Sequence, residues 1–278
     1  MRASTRRANI LAVGLVGFFV AGAVLFGQSN SARESAEEQR NTDGKSNGTE
    51  ASLTLEQLQS MALDLVMKPP SAKSPGEVDK ELADLRWKIA RQLAQTDIEG
   101  AIAYARASLR LVETVPGRWE QLGDLYVLSG KAGSARDAIV AFDNVLFLDP
   151  ARRNARLKLA CAYMMNQQIS ESLKHLEFYL CQTVDEEEQL QASRVYVSAC
   201  AMGNQAKRGI AFCEAMSAEP DNAACQIAWA ILEKSLGKQE KAVGLLEGVI
   251  EREGISAMLS TTAEDLRKLY SSVEGEMK

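Results

Sequence analysis

The spacing of small and aromatic residues through the middle of this chain limits its fold more than any other feature. Trp119-x-x-Leu122-Gly123-x-x-Tyr126 is followed by Ala138-x-x-x-Phe142 and then Pro150, and weaker copies recur at close to 34 residues. With Trp119 at repeat position 4, Gly123 falls at position 8; the next copy, aligned on Pro150, puts Ala160 at position 8 and Tyr163 at position 11. A third copy carries Ala192, Val195, Gly203, Phe212, Ala215 and Pro220, and a fourth carries Trp229, Ala230, Gly237, Ala242 and Leu246. Gly203 and Gly237 are 34 apart, as are Phe212 and Leu246. Small residues at fixed places let two helices approach closely, and a constant period lets one helix pair stack on the next. Extra residues between Gly130 and Ala138, and near Asp185 to Glu188, fall in predicted inter-helix turns, where insertions cost little.

This pattern resembles the tetratricopeptide repeat, in which each unit is two antiparallel helices. The resemblance implies an all-α, right-handed superhelical solenoid that binds other proteins and is not an enzyme. Units are predicted at 116–152, 153–188, 189–222 and 223–256, with a degenerate unit at about 82–115 carrying Leu85, Ile89, Ala101, Ala105 and Leu109. Ser74-Pro75-Gly76-Glu77 combines an N-cap serine, a first-turn proline and a capping-box glutamate, so the first helix of that unit starts at Ser74. Thr54-Leu55-Glu56-Gln57 starts a shorter helix, which Pro69 and Pro70 stop after Met67. A capping helix is expected at about 258–272, with Ala263, Leu266, Leu269 and Tyr270 on one face. No alternating β-branched pattern competes after residue 52. Residues 53–278, in a chain that is 46% apolar, are expected to form one continuous domain.

The N-terminus carries a separate signal. Ile10 to Phe26 form an uncharged apolar run behind Arg2, Arg6 and Arg7. Its length is near the lower limit for a spanning helix, and neither an Ala-x-Ala site nor an acceptor cysteine follows it. Residues 1–27 therefore read as an uncleaved signal anchor in the inner membrane, with a cytoplasmic N-terminus and periplasmic or otherwise extracytoplasmic repeats. A cleaved secretory signal is the alternative. Residues 28–52, rich in Ser, Asn, Glu, Gly and Thr, read as a disordered tether with a reach on the order of 25 to 30 Å. Asn47-Gly48-Thr49 matches a glycosylation acceptor, a pattern too short to carry a function.

Reactive chemistry is sparse. His175 is the one histidine, and no phosphate-cradling glycine loop or paired-cysteine metal, haem or redox motif occurs, so neither a metal site nor a cofactor nor a small-molecule substrate is expected. Cys161, Cys181, Cys200, Cys213 and Cys225 sit at unrelated repeat positions and read as small apolar fillers; a Cys200 to Cys213 bridge would span one helix pair, but no spacing singles it out. The formal charge of −5 includes three positive charges from Arg2, Arg6 and Arg7, which leaves the rest of the chain at −8 and argues against nucleic-acid binding.

Binding is expected in a groove lined by first-helix residues at repeat positions 2, 5, 9 and 12. These are Glu120, Asp124 and Val127; Asn154, Leu157, Cys161 and Met164; Leu190, Ser193, Val197 and Cys200; and Ala224, Ile227, Ile231 and Lys234. The set lacks the cluster of Lys, Arg and Asn that a carboxylate clamp needs. It is apolar toward the C-terminal repeats and acidic at Glu120 and Asp124, which suits an amphipathic helix with a basic end. The whole layout, an anchor followed by a polar tether and then four to five exported repeats, resembles the tetratricopeptide subunits of bacterial cytochrome c maturation and haem-lyase complexes. That resemblance implies a chaperone for the C-terminal helix of an apocytochrome. The alternative is a structural assembly factor of an envelope, pilus or secretion complex.

Overall fold

A computed structural model describes residues 53–217 and 222–272. The predicted anchor, the tether and Pro220 lie outside the described residues. Among the described residues there are twelve α-helices and no strand, and no helix is long and apolar enough to cross a membrane. The helices are α1 (Leu55–Met67), α2 (Pro75–Leu93), α3 (Ile98–Leu109), α4 (Pro116–Ser129), α5 (Ser134–Leu148), α6 (Arg153–Met165), α7 (Ile169–Gln182), α8 (Glu186–Met202), α9 (Ala206–Ser217), α10 (Ala223–Ser235), α11 (Gln239–Ile250) and α12 (Ala257–Ser272).

Local chemistry sets where these helices begin and end. Thr54 and Gln57 close one capping box, Ser74 and Glu77 close another, and Pro75 takes the first turn of α2, all at the places the sequence marks. Asp97, Asp185 and Asn222 each accept a hydrogen bond from a first-turn backbone N–H, of Gly100, Glu188 and Cys225 respectively. The turn between α4 and α5 holds the inserted residues and contains Gly130 at φ 59° and Gly133 at φ 87°, a left-handed backbone that glycine adopts without penalty. Gly203 and Gly237 do not play equivalent parts, despite their 34-residue separation. Gly203 caps α8 at φ −86° and hands the left-handed conformation to Asn204 at φ 52°, whereas Gly237 itself takes φ 80°.

The contacts group the chain into two compact units that meet in sequence between Asn166 and Gln167, where one continuous core was expected. Each helix of a repeat touches its near neighbours alone, so a repeat array divides easily. The boundary falls inside the unit predicted at 153–188. In the first unit, α1 to α6 pack in sequence order. Leu58, Leu85, Ile89, Leu109 and Leu122 form one core, and Ile139, Phe142, Leu159 and Ala162 a second, with Tyr126 packed against both. The repeat signature acts here: a β-carbon on Gly123 would sit 2.5 Å from the Phe142 ring, so the α5 aromatic rests on bare α4 backbone. The degenerate repeat is the α2–α3 pair, whose first helix begins at Pro75 behind the Ser74 cap, where the sequence marks it.

In the second unit, α8 packs against α7, α9 and α10, and α10, α11 and α12 follow in turn. Leu190, Ile227, Leu246, Leu259 and Tyr270 share its core. Ala263 and Tyr270 point inward from α12, but Leu269 is exposed, because one residue along a helix turns the side chain through about 100° away from Tyr270.

Gly123→Ala is expected to lower unfolding free energy by about 1 to 3 kcal/mol, since the ring of Phe142 must shift. Gly244→Ala, on an exposed stretch of α11 with nothing within 4 Å of the new methyl, is expected to raise it by up to about 1 kcal/mol. Urea unfolding followed by circular dichroism distinguishes the two signs.

Candidate functional site

The predicted groove residues come from α4 and α6 in the first unit and from α8 and α10 in the second. Most are packed inside their own unit. Glu120, Asp124, Cys161, Met164, Leu190, Ser193, Cys200, Ala224 and Ile227 are buried, so as they stand they offer no surface to a partner. Val127, Asn154, Leu157, Val197, Ile231 and Lys234 remain half-buried. The cause is the enclosure of these helices. On α8 the buried positions are 189, 190, 192, 193, 195, 196, 199 and 200, an arc too wide to leave four fixed repeat positions free.

The expected acidic end of the groove is instead a buried ion cluster. Glu120 and Asp124 lie one turn apart on α4, and Lys158 of α6 reaches between them: its Nζ is 2.7 Å from Glu120 Oε1 and 2.8 Å from Asp124 Oδ2. Arg152, at the start of α6, donates from Nη1 to the other Glu120 oxygen at 3.0 Å. Side-chain exposure is 2% for Glu120 and 5% for Lys158. Burial pushes the Asp124 carboxyl up to about 6, against the pull of Lys158, and its Oδ1 has no hydrogen-bond partner. Burial works the other way on Lys158, but the two carboxylates outweigh it and hold the ammonium form above its usual range. Lys158 escaped the sequence reading. The signal was there: a single lysine in the run Leu157-Lys158-Leu159-Ala160-Cys161-Ala162, a setting where burial demands a counter-charge.

The second unit holds a comparable device. Glu233 near the end of α10 is fully buried and takes Trp229 Nε1 at 3.0 Å and Lys241 Nζ at 2.7 Å on Oε1, with Lys238 Nζ 3.0 Å from Oε2. Burial alone would raise this carboxyl; the hydrogen bonds from Lys241, Lys238 and Trp229 win and hold it at about 2. Lys241 also lies 4.8 Å over the Trp229 ring. Lys234, predicted to line the groove, bonds to Gln239 and sits 5.2 Å over the Tyr270 ring. Among the described residues no three His, Cys, Asp or Glu side chains gather as a metal site.

Large apolar side chains stand open to solvent on α1 (Met61, Leu63, Val66, Met67), on α4 (Leu128), and on second helices and turns. Phe147 is 83% exposed and Val140, two turns earlier on the same face of α5, is 54% exposed; Val184, Met202 and Leu236 are exposed at helix ends.

Neither the family models nor the curated proteins give a match to this chain. Solved structures do. MamA from Desulfovibrio magneticus RS-1 is 19% identical over 61% of this chain and 93% of its own, with a TM-score of 0.45. YrrB, described as a TPR protein with an unusual peptide-binding site, is 16% identical over 76% of this chain and all of its own, with a TM-score of 0.46. A tetratricopeptide repeat protein from Parabacteroides merdae is 16% identical over 92% of this chain and 98% of its own, with a TM-score of 0.38.

Lys158→Met leaves buried Asp124 without a cation and Glu120 with Arg152 alone, and is expected to cost about 3 to 5 kcal/mol, whereas combining it with Glu120→Gln and Asp124→Asn should recover most of that loss. The two shifted carboxyls give opposite pH trends. Asp124 has its folded value, about 6, above its ordinary 3.8, so its contribution is present at low pH and fades as pH rises through 6. The stability of Asp124→Asn relative to the parent should therefore increase from pH 4 to pH 7. Glu233, at about 2 against an ordinary 4.5, contributes above pH 4.5 and loses that contribution as pH falls toward 2, so the deficit of Glu233→Gln should shrink over the same fall. Urea titrations at each pH check both.

Proposed function

We propose that this chain is a non-enzymatic protein-interaction scaffold of the tetratricopeptide type, held at the inner membrane by residues 10–26 with its repeats on the extracytoplasmic side. One observation carries the scaffold reading. Among a largely charged surface, the helices leave large apolar side chains open to solvent, Leu63, Met67, Val140 and Phe147 among them. Such a surface suits a protein or peptide segment with an apolar face. The client we propose is the amphipathic C-terminal helix of an apocytochrome c, received by Val197 and Ile231, the apolar groove positions of the second unit that are not fully buried. The support for that client is the order of anchor, tether and repeats.

A second reading rests on Phe147 and Val140, which share one solvent-facing stripe on a second helix. A stripe there fits an assembly factor that docks through the outer helices of its repeats.

One pull-down separates the two. The tagged full chain is recovered from envelope extract alongside a Val197→Glu, Ile231→Glu variant and a Phe147→Asp, Val140→Asp variant, each checked by circular dichroism for retained helix. Recovery of apocytochromes or haem-lyase subunits, reduced at least tenfold by the first variant alone, is the expected outcome. Loss with the second variant alone would transfer the interaction to α5 and select the assembly-factor reading. Fractionation of the full chain with soluble material would overturn the anchor.

A further inference from the structure

Helix α1 has two apolar stripes and packs one of them. Leu55, Leu58, Ala62 and Leu65 recur at the spacing of a single helix face and join the first core of their unit, where α1 lies against α2. Leu63, Val66 and Met67 form the second stripe, at i, i+3 and i+4, and are 62%, 52% and 70% exposed. This stripe lies roughly 110° round the helix axis from the packed one. Met61, 43% exposed, flanks the packed stripe on its other side. Both ends of α1 are fastened. Gln92 of α2 donates to the Leu53 carbonyl at 2.8 Å, and Lys73, just beyond Pro69 and Pro70, pairs with Glu81 of α2. The open stripe is therefore held in place as a fixed feature of the unit. Glu56 stands two turns before Leu63 on the same side, which confines the apolar contact to the last turns of α1.

We propose that Leu63, Val66 and Met67 dock α1 on the surface of the lipid bilayer, entering the boundary between headgroups and acyl chains. The proposal rests on the anchor reading above. Size, position and charge select a bilayer as the occupant. A stable protein interface takes roughly 20 to 30 residues a side, and three side chains fall far short of it. A tethered domain needs much less, because the tether itself keeps the local concentration of its partner high. The apolar run of the anchor ends at Phe26, and the tether that follows has a reach on the order of 25 to 30 Å, so α1 is the first helix brought to the membrane surface. Residues 53–166 carry 15 Lys and Arg against 14 Asp and Glu, while residues 167–272 carry 10 against 16. Anionic headgroups thus repel the second unit and leave the first free to approach. Lys68 is exposed directly after Met67, and its long stem lets an ammonium reach headgroup phosphates while the stripe is covered. The proposed client positions, Val197 and Ile231, belong to the other unit and take no part.

The test uses the full chain reconstituted at one copy per nanodisc of phosphatidylcholine and phosphatidylglycerol in equal parts. Brief treatment with chloramine T, an oxidant that stays in water, converts accessible methionines to sulfoxides, and peptide mass spectrometry gives a rate for each. Met61 and Met67 share α1, so fraying of the helix would speed both. Met67 is the more exposed of the two in the structure, yet with the stripe covered it is expected to react about threefold more slowly than Met61. Leu63→Gln combined with Val66→Gln changes exposed side chains, keeps both reporters and should lift the Met67 rate above that of Met61. A Met67 that reacts as fast as Met61 in the parent, or is unchanged in the variant, would overturn the docking. Protection that needs two copies per disc would assign the stripe to a second copy of the chain and overturn it as well. Flotation with vesicles of the same lipids separates this proposal from the reading beneath it. A chain that floats but leaves Met67 open loses the docking alone; one that stays out of the lipid loses the anchor and the docking together.

Discussion

A flat phenylalanine ring lying on bare backbone is the contact from which the α4–α5 pair is built. Phe142 occupies the space a side chain at position 123 would fill, and Gly123 vacates it. Two helices that meet this closely exclude water along their shared face and present a combined outer surface with apolar strips on both sides. Neither strip can be satisfied within the pair. Tyr126 accordingly packs against both cores of the first unit, and α5 continues onto α6. In the second unit the same demand is met at Gly209, where the approach is onto Cys200 and Leu232. The need to cover each pair with another is what turns a local motif into a stack.

Buried charge then fixes which pair meets which. An apolar interface tolerates sliding, but Lys158 between Glu120 and Asp124 does not, because a displacement that broke the contact would leave desolvated carboxylates alone. Glu233 plays the corresponding part at the α10–α11 turn, gripped by Trp229, Lys238 and Lys241. The two sites resolve the contest between burial and pairing in opposite directions. Asp124 shares one ammonium with Glu120, so burial prevails; Glu233 has two ammonium groups within 3.0 Å and the Trp229 N–H, so pairing does.

The elements legible in the sequence were those decided by neighbours in sequence. Thr54 with Gln57 and Ser74 with Glu77 cap the helices they mark, and the Gly130 turn absorbs its insertion. Gly123 and Phe142 were legible as a pair because repetition converts a tertiary contact into a spacing. Lys158 was not, since its partners are set by how α6 lies against α4 and no spacing rule names them. Gly203 and Gly237 show a related limit: equal spacing does not guarantee equal backbone roles when the turn can place its left-handed residue one step later, at Asn204.

The groove residues were the least legible, and the physical cause bears on how such a scaffold can bind. First helices carry the period that makes the repeat recognisable, and the same period is spent on packing. Glu120, Cys161, Cys200 and Ile227 occupy groove positions by count and core positions in space. On the scaffold reading proposed above, a client would be met by what packing leaves over: single half-buried residues such as Val197 and Ile231 on first helices, or the Val140–Phe147 stripe on α5. Val197 and Ile231 are 34 residues apart and so carry the period itself, yet Ile231 also packs against the second unit's core, so a repeat position does not by itself separate a side chain spent on packing from one left for a partner.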